Sequence, residues 1–268
     1  MKFRLFTVAA LAVTALCGCS TSAPKTLVLY YSQTGATKTV AEELQSQLGA
    51  DIACIEAVEP YDADYAATVA RWRQELENSI KVAIQPLAAN LDRYDTIFLG
   101  FPIWGGTCAS PMATFLADNS LAGKKVVTFA TFGSGGIESA TADVVKAQPD
   151  ATVITGYGVR NARVGKSAAE IRRFLIENGY VKGEIAPLPE YGEPVTVTDE
   201  DIAVFDAACG NYQFPLGTPV TVAKRSYDST EDYRFDVKSQ TPDGSEASST
   251  IYVVVPQDGT PEFTRVVR

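Results

Sequence analysis

Short apolar runs alternate with amphipathic segments from residue 26 to residue 180. The apolar runs are nearly continuous, as in parallel strands that are covered on both faces. They lie at residues 26–31, 51–56, 95–100, 125–131 and 152–158. Apolar residues between these runs recur at helical spacing and predict helices at residues 37–48, 64–84, 110–118, 138–147 and 167–178. The alternation predicts an α/β fold with a doubly wound, five-stranded parallel sheet over residues 26–184.

The pattern changes after residue 184. Residues 185–197 include several prolines and are predicted to be a linker, and residues 198–209 then form a helix that Gly210 is placed to end. Further on, apolar and polar residues alternate with a period of two, which is typical of strands in an antiparallel sheet. These strands are predicted at residues 220–222, 233–238, 251–255 and 263–266. Residues 198–268 are therefore expected to form a small α+β domain with an antiparallel meander. Because they contain no catalytic constellation, we expect this domain to serve interaction or shielding.

The N-terminal residues have the features of a targeting segment. Lys2 and Arg4 precede an apolar stretch over residues 5–16 that is too short to span a bilayer permanently. The following Leu16-Cys17-Gly18-Cys19 resembles a bacterial lipobox. We therefore expect a lipoprotein signal peptide at residues 1–18, a tether at 19–25, and an extracytoplasmic protein anchored to a membrane through acylated Cys19. The alternative is a secreted protein that is cleaved elsewhere.

The composition excludes several kinds of chemistry. The chain has no histidine, so Ser-His-Asp and Cys-His catalysis and imidazole metal sites are excluded. The formal net charge is −9, and it becomes −11 without Lys2 and Arg4, which disfavours nucleic acid as a partner. Beyond Cys19 the thiols are Cys54, Cys108 and Cys209. We expect Cys108 and Cys209 to be separate packed thiols, with a disulfide between them as the alternative.

A loop rich in hydroxyl groups follows the first predicted strand and leads into the first helix. It contains Ser32, Gln33, Thr34, Gly35, Ala36 and Thr37. The N-terminus of a helix offers unpaired N–H groups and the positive end of a dipole, and glycine allows the backbone to approach an anion closely. Because the loop has no lysine, it is not the loop of nucleotide triphosphatases. It suits a phosphate monoester on a cofactor.

Two further loops follow the third and fourth predicted strands. The first contains Pro102, Ile103, Trp104, Gly105 and Gly106, and the second contains Thr131, Phe132, Gly133, Ser134, Gly135 and Gly136. The carboxyl ends of parallel strands meet at one edge of a sheet, so the three loops are expected to lie together. In this order they resemble the phosphate loop and the two ring-contacting loops of flavodoxins, over residues 25–180.

The resemblance implies a sheet of order 2-1-3-4-5 and noncovalent binding of FMN. It implies that Trp104 stacks on the flavin ring, and that the Gly105 peptide can reorient near the ring and tune its potentials. Backbone N–H groups of residues 131–136 would bind the pyrimidine edge of the ring. Phe132 would be a second stacking wall, with Tyr157 and Tyr61 as alternatives.

The function implied is electron transfer between redox partner proteins. A first alternative is an NAD(P)H-dependent quinone or nitro reductase, although no G-x-G-x-x-G motif for a dinucleotide is present. A second alternative is a scaffold or interaction protein that binds no flavin. The C-terminal domain is expected to be dispensable for FMN binding, unless its helix and meander cover the ring.

Overall fold

The computed structural model describes residues 25–241 and 243–268, so Cys19 and the predicted signal peptide lie outside the described residues. The strands of the first domain are β1 (Thr26–Tyr31), β2 (Asp51–Ile55), β3 (Thr96–Trp104), β4 (Thr107–Cys108), β5 (Lys125–Phe132) and β6 (Thr152–Arg160). Five of them form a parallel sheet in the order β2-β1-β3-β5-β6, and the two-residue β4 pairs antiparallel with β3. This topology confirms the predicted flavodoxin-like order.

Helices cover both faces of the parallel sheet. They are α1 (Ala36–Leu48), α2 (Tyr65–Glu77), α3 (Ser110–Asp118), α4 (Glu138–Ala147) and α5 (Ser167–Glu177). Alternate side chains of the central strands point to opposite faces, so Val28 packs with α1 and α5 while Leu27 and Leu29 pack with α3 and α4. Burial on both faces explains why these strands are nearly continuous in apolar residues.

The second helix is shorter than the predicted 64–84. It ends at Glu77, and Ser79 then adopts a left-handed φ of 51° that does not continue a helix. The following segment runs beside the residues after β2, where the Gln85 N–H donates to the Glu56 carbonyl at 2.8 Å. The apolar residues after position 79 therefore belong to an extended segment, although their spacing also fits a helix.

The second domain is an antiparallel sheet with one helix packed on it. Its elements are β7 (Val195–Thr196), α6 (Asp199–Cys209), β8 (Thr218–Tyr227), β9 (Thr230–Gln240), β10 (Glu246–Val255) and β11 (Glu262–Val267). The order β11-β10-β9-β8-β7 is that of the predicted meander, with one strand more than expected because β7 pairs with β8 from within the predicted linker. Thr198 and Asp201 cap α6 reciprocally, which defines its start.

The described cysteines are free thiols. Cys108 is buried in the core of the first domain and Cys209 in that of the second, as expected for separate packed thiols. Burial raises the pKa of Cys108 to about 11 and that of Cys209 to about 12, so both stay protonated at neutral pH. Within residues 25–241 and 243–268, no helix is long and apolar enough to cross a membrane.

Candidate functional site

A cavity of about 720 Å³ lies at the carboxyl edge of the parallel sheet, and all three predicted loops line it. Its size is within the usual range for ligand sites. The predicted residues that line it are Ser32, Gln33, Thr34, Ala36, Thr37, Pro102, Ile103, Trp104, Gly105, Gly106, Thr131, Phe132, Gly133, Gly135 and Gly136. Gly35, the remaining predicted residue, lies in the first of these loops as the N-cap residue of α1.

The first loop presents hydrogen-bond donors to the cavity. Gly35 has a φ of 94°, and no side chain within residues 25–241 and 243–268 caps the N–H groups at the start of α1. The Ser32 hydroxyl is buried and has no hydrogen-bond partner in the described part of the chain. By contrast, the Thr37 hydroxyl shares a hydrogen bond of 2.9 Å with Thr131, and the Gln33 amide donates to Thr68 at 2.6 Å. Ser32 and the helix N-terminus are thus the groups best placed to bind an anion.

The charge of the cavity also favours an anion. Its charged side chains are Arg73 and Arg268, and no Asp or Glu side chain of the described residues lines it. This is notable in a chain with a formal net charge of −9. Among the same residues, no group of His, Cys, Asp and Glu side chains could hold a metal ion.

The second loop is a tight β-hairpin rather than an open loop. β3 continues past its predicted end at residue 100 to Trp104, and Trp104 pairs with Thr107 across the turn. The two turn residues, Gly105 and Gly106, have φ values of 57° and 91°, as two-residue hairpin turns of type I′ require. A Cβ atom on Gly105 would lie 2.0 Å from the Trp72 ring, so a side chain there would have to displace that ring as well as strain the backbone at positive φ.

Trp104 is held by aromatic neighbours. Its ring contacts Tyr61 edge to face at a centroid distance of 4.8 Å and Tyr31 at 6.1 Å. Burial raises the pKa of both tyrosines, in Tyr61 together with its hydrogen bonds to Glu75, so both hydroxyls stay neutral. The indole can therefore present an apolar surface to the cavity in a fixed orientation.

The structure separates the three candidates for a second stacking wall. Phe132 lines the cavity but is 4% exposed, with its ring packed against Gly158. Tyr61 contacts the Trp104 ring, and Tyr157 packs in the core, where its hydroxyl donates to Glu170 at 2.6 Å. Neither of the two tyrosines lines the cavity, so Phe132 is the remaining candidate for the second stacking wall.

Several lining residues were missed from the sequence. Trp72 and Tyr65 come from α2, and Tyr212, Phe214 and Arg268 come from the second domain. The sequence around Arg71-Trp72-Arg73 predicts an amphipathic helix surface with one buried ring, not a site residue. The position of Trp72 depends on the buried Glu75 one turn later, which accepts from Arg71, Tyr61 and Ser110, and no local pattern in the sequence shows that burial. No sequence pattern marks the lining residues of the second domain either, and their presence at the cavity favours a covering role over dispensability.

Comparison with known proteins agrees with this geometry. A family model described as Flavodoxin matches residues 25–173, which is more than half of the chain. The chain therefore belongs to the flavodoxin family, as its three loops predict, and the membership supports FMN as the cofactor. The match stops at residue 173 and does not include the second domain. None of the curated proteins compared with this chain matches it significantly.

Solved structures similar to this chain include flavoproteins. One from Bacteroides eggerthii is 31% identical over 60% of this chain and 100% of its own, with a TM-score of 0.51. One from Bacteroides uniformis is 29% identical over 56% of this chain and 99% of its own, with a TM-score of 0.50. A flavoprotein from Lactobacillus acidophilus, solved in complex with FMN, is 27% identical over 54% of this chain and 98% of its own, with a TM-score of 0.45.

The residues present fit FMN. An unpartnered buried hydroxyl at Ser32 and an uncapped helix N-terminus suit its phosphate, and the arginines without opposing carboxylates suit its charge. The apolar side of the cavity, with Trp104 and Phe132, suits a broad aromatic ring.

Proposed function

We propose that this flavodoxin-family protein binds FMN noncovalently and carries electrons between partner proteins on the extracytoplasmic side of a bacterial membrane. The strongest support is that the loop with the Ser32 hydroxyl, unpartnered among the described residues, and the indole of Trp104 line the same cavity. Bound FMN supplies the chemistry, because it accepts and releases one or two electrons. The protein contributes binding, orientation and electrostatics.

Each part of the cavity has one of these tasks. The start of α1 and Ser32 would bind the phosphate and thereby fix where the cofactor lies. Trp104 would stack on the ring and exclude water from one face. The peptides of the Gly105-Gly106 turn and of residues 133–136 would set the hydrogen bonds to the ring.

A stoichiometric electron-transfer experiment distinguishes a carrier from an enzyme. The FMN-loaded chain is reduced chemically, freed of reductant, and mixed with oxidised cytochrome c as a one-electron acceptor. We expect complete reoxidation, and no sustained consumption of NADH or NADPH when a quinone or a nitro compound is present in excess. Sustained consumption would instead support the reductase, and a chain that takes up no flavin would support the scaffold.

Membrane anchoring is tested at the lipobox, where two neighbouring cysteines provide a matched pair. Cys19→Ser removes the thiol that we propose to be acylated, whereas Cys17→Ser changes a residue that would be removed with the signal peptide. After expression in a bacterium, the wild type and Cys17→Ser should fractionate with membranes and incorporate labelled palmitate. Cys19→Ser should do neither, and equal behaviour of all three chains would contradict the anchoring.

A further inference from the structure

Residues of the second domain line the same cavity as the three loops of the first. Tyr212, Gln213 and Phe214 follow α6, and Arg268 follows β11. All of them lie beyond residue 173, where the match to the family model ends. Phe214 contacts the Tyr212 ring at 5.8 Å and is 52% exposed, so packing within its own domain does not account for its position.

The last strand of the second domain is hydrogen-bonded to the loop of residues 131–136, which we call the second ring loop. The Val266 N–H donates to the Ser134 carbonyl at 2.8 Å. One residue earlier in the loop, the Gly133 carbonyl accepts from the Arg160 guanidinium at 2.6 Å. Two successive carbonyl groups of the loop are thus fixed, and fixing them also sets the directions of the N–H groups in the same peptide planes.

Arg160 links this loop to Phe263 and Tyr212 of the second domain. Its guanidinium also donates to the Phe263 carbonyl on β11 at 2.8 Å. It lies over the Phe263 ring at 4.1 Å and over the Tyr212 ring at 5.3 Å. One planar cation therefore joins β6, the second ring loop, β11 and the segment that contains Phe214.

An ion-pair cluster supports the same contact between the domains. Glu262 on β11 accepts from Arg163 at 2.9 Å and from Lys166, and both residues lie just after β6. The Arg163 and Glu262 side chains are only 12% and 14% exposed. Arg265 pairs with Glu138 at 3.5 Å on the other side of the loop. The domain is thus bonded on both sides of the second ring loop.

We propose that the second domain completes the flavin site, with Tyr212 and Phe214 as an outer wall over the ring and Arg160 as the positioning residue of the second ring loop. This inference rests on the proposed binding of FMN and adds residues outside the region shared with the family. A wall of this kind would limit the access of water and small solutes to the ring while leaving the phosphate loop unaffected.

The test compares Phe214→Ala with Val195→Ala, which removes a similarly exposed apolar side chain of the same domain that does not line the cavity. Apo forms of the full chain are titrated with FMN and with riboflavin, and iodide quenching of residual flavin fluorescence reports access to the ring. Phe214→Ala should weaken the binding of both flavins by the same factor, about threefold to tenfold, and should raise iodide quenching. Val195→Ala should behave as the wild type.

Arg160→Lys keeps the charge but loses the planar fork of donors. It should shift the visible circular dichroism of bound FMN, which reports the environment of the ring, while the affinity for inorganic phosphate stays unchanged. Wild-type flavin affinity and iodide quenching in both Phe214→Ala and the Tyr212→Ala/Phe214→Ala double variant would overturn the inference. A wild-type chain that binds neither flavin would overturn the proposed function, and this inference with it.

Discussion

Ser32 and Thr37 both present a hydroxyl in the phosphate loop, but the two hydroxyls have different surroundings. That of Ser32 is buried and has no partner among the described residues, whereas that of Thr37 is bonded to Thr131 at 2.9 Å between two side chains that are almost fully buried. A ligand could bond to the Ser32 hydroxyl without breaking a hydrogen bond of the protein. The Thr37 hydroxyl contributes to the stability of the protein before any ligand binds.

Ser32→Ala should weaken FMN binding at least tenfold, because a hydrogen bond to a charged phosphate contributes about 1.5–3 kcal/mol. It should leave riboflavin binding and the unfolding of the apo chain in urea unchanged. Thr37→Val is the comparison, since it should also lower the free energy of unfolding by about 1 kcal/mol. The assignment fails if Ser32→Ala affects FMN and riboflavin equally.

The residues of this loop could be predicted because a short motif contains all of them. Which of these hydroxyls is free for a ligand could not be predicted, since the hydroxyl of Thr37 is bonded to Thr131, 94 positions away in the sequence. The same applies to the three aromatic candidates for the second wall. Whether Phe132 or Tyr157 faces the cavity depends on packing against Gly158 and Glu170, and no local pattern encodes those contacts.

The hairpin of β3 and β4 contacts the helix α2 at the cavity, and this contact limits the size of the side chains on both elements. The ring of Trp72 lies where a side chain on Gly105 would be. Two consecutive glycines after an apolar strand are a hairpin signal, so this turn could have been predicted from the sequence. The approach of Trp72 could not, because it requires the rotation that the buried Glu75 network gives to α2.

A double-mutant cycle tests this contact. Gly105→Ala should lower the free energy of unfolding by about 2–3 kcal/mol, from overpacking and positive φ together. In a Trp72→Phe background the outer atoms of the indole are absent, so the cost should fall to about 1 kcal/mol, that of the φ alone. Gly106→Ala, which would contact nothing within 4 Å, should cost the same in both backgrounds. An equal cost of Gly105→Ala in both backgrounds would refute the contact.

At the scale of the whole molecule, both domains could be predicted from their patterns, but not their contact. The alternation of strands and helices distinguishes the parallel sheet from the meander, since each has its own hydrophobic period. The pairing of Arg163 with Glu262 joins residues 99 positions apart. Nothing in the sequence of β11 indicates which other surface it contacts, so only the structure shows that the second domain lies over the cavity.

The contact between the domains should depend on pH through Glu262. Partial burial opposes its ionisation, but hydrogen bonds from Lys166 and Arg163 dominate and lower its pKa below the usual 4.5. A lowered pKa in the folded state means that the contribution to stability is complete above pH 4.5 and is lost as the pH falls below it. The melting temperature of the wild type should therefore fall on acidification through this range.

Glu262→Gln should lower stability at neutral pH by about 1 kcal/mol and should flatten the acid dependence of the melting temperature. Glu246→Gln is a matched control in the same domain, since Glu246 is largely exposed and pairs with Lys238 at 3.5 Å. It should leave both quantities close to those of the wild type. Identical acid profiles for the wild type and Glu262→Gln would show that this carboxylate does not hold the domains together.

Binding of FMN through its phosphate is tested by titrating the purified apo chain with FMN and with riboflavin and following the quenching of flavin fluorescence. We expect one FMN per chain and an affinity for FMN at least tenfold above that for riboflavin, because the phosphate adds charge-assisted hydrogen bonds of about 1.5–3 kcal/mol each. Equal affinities for the two flavins, or no binding of either, would contradict binding through the phosphate.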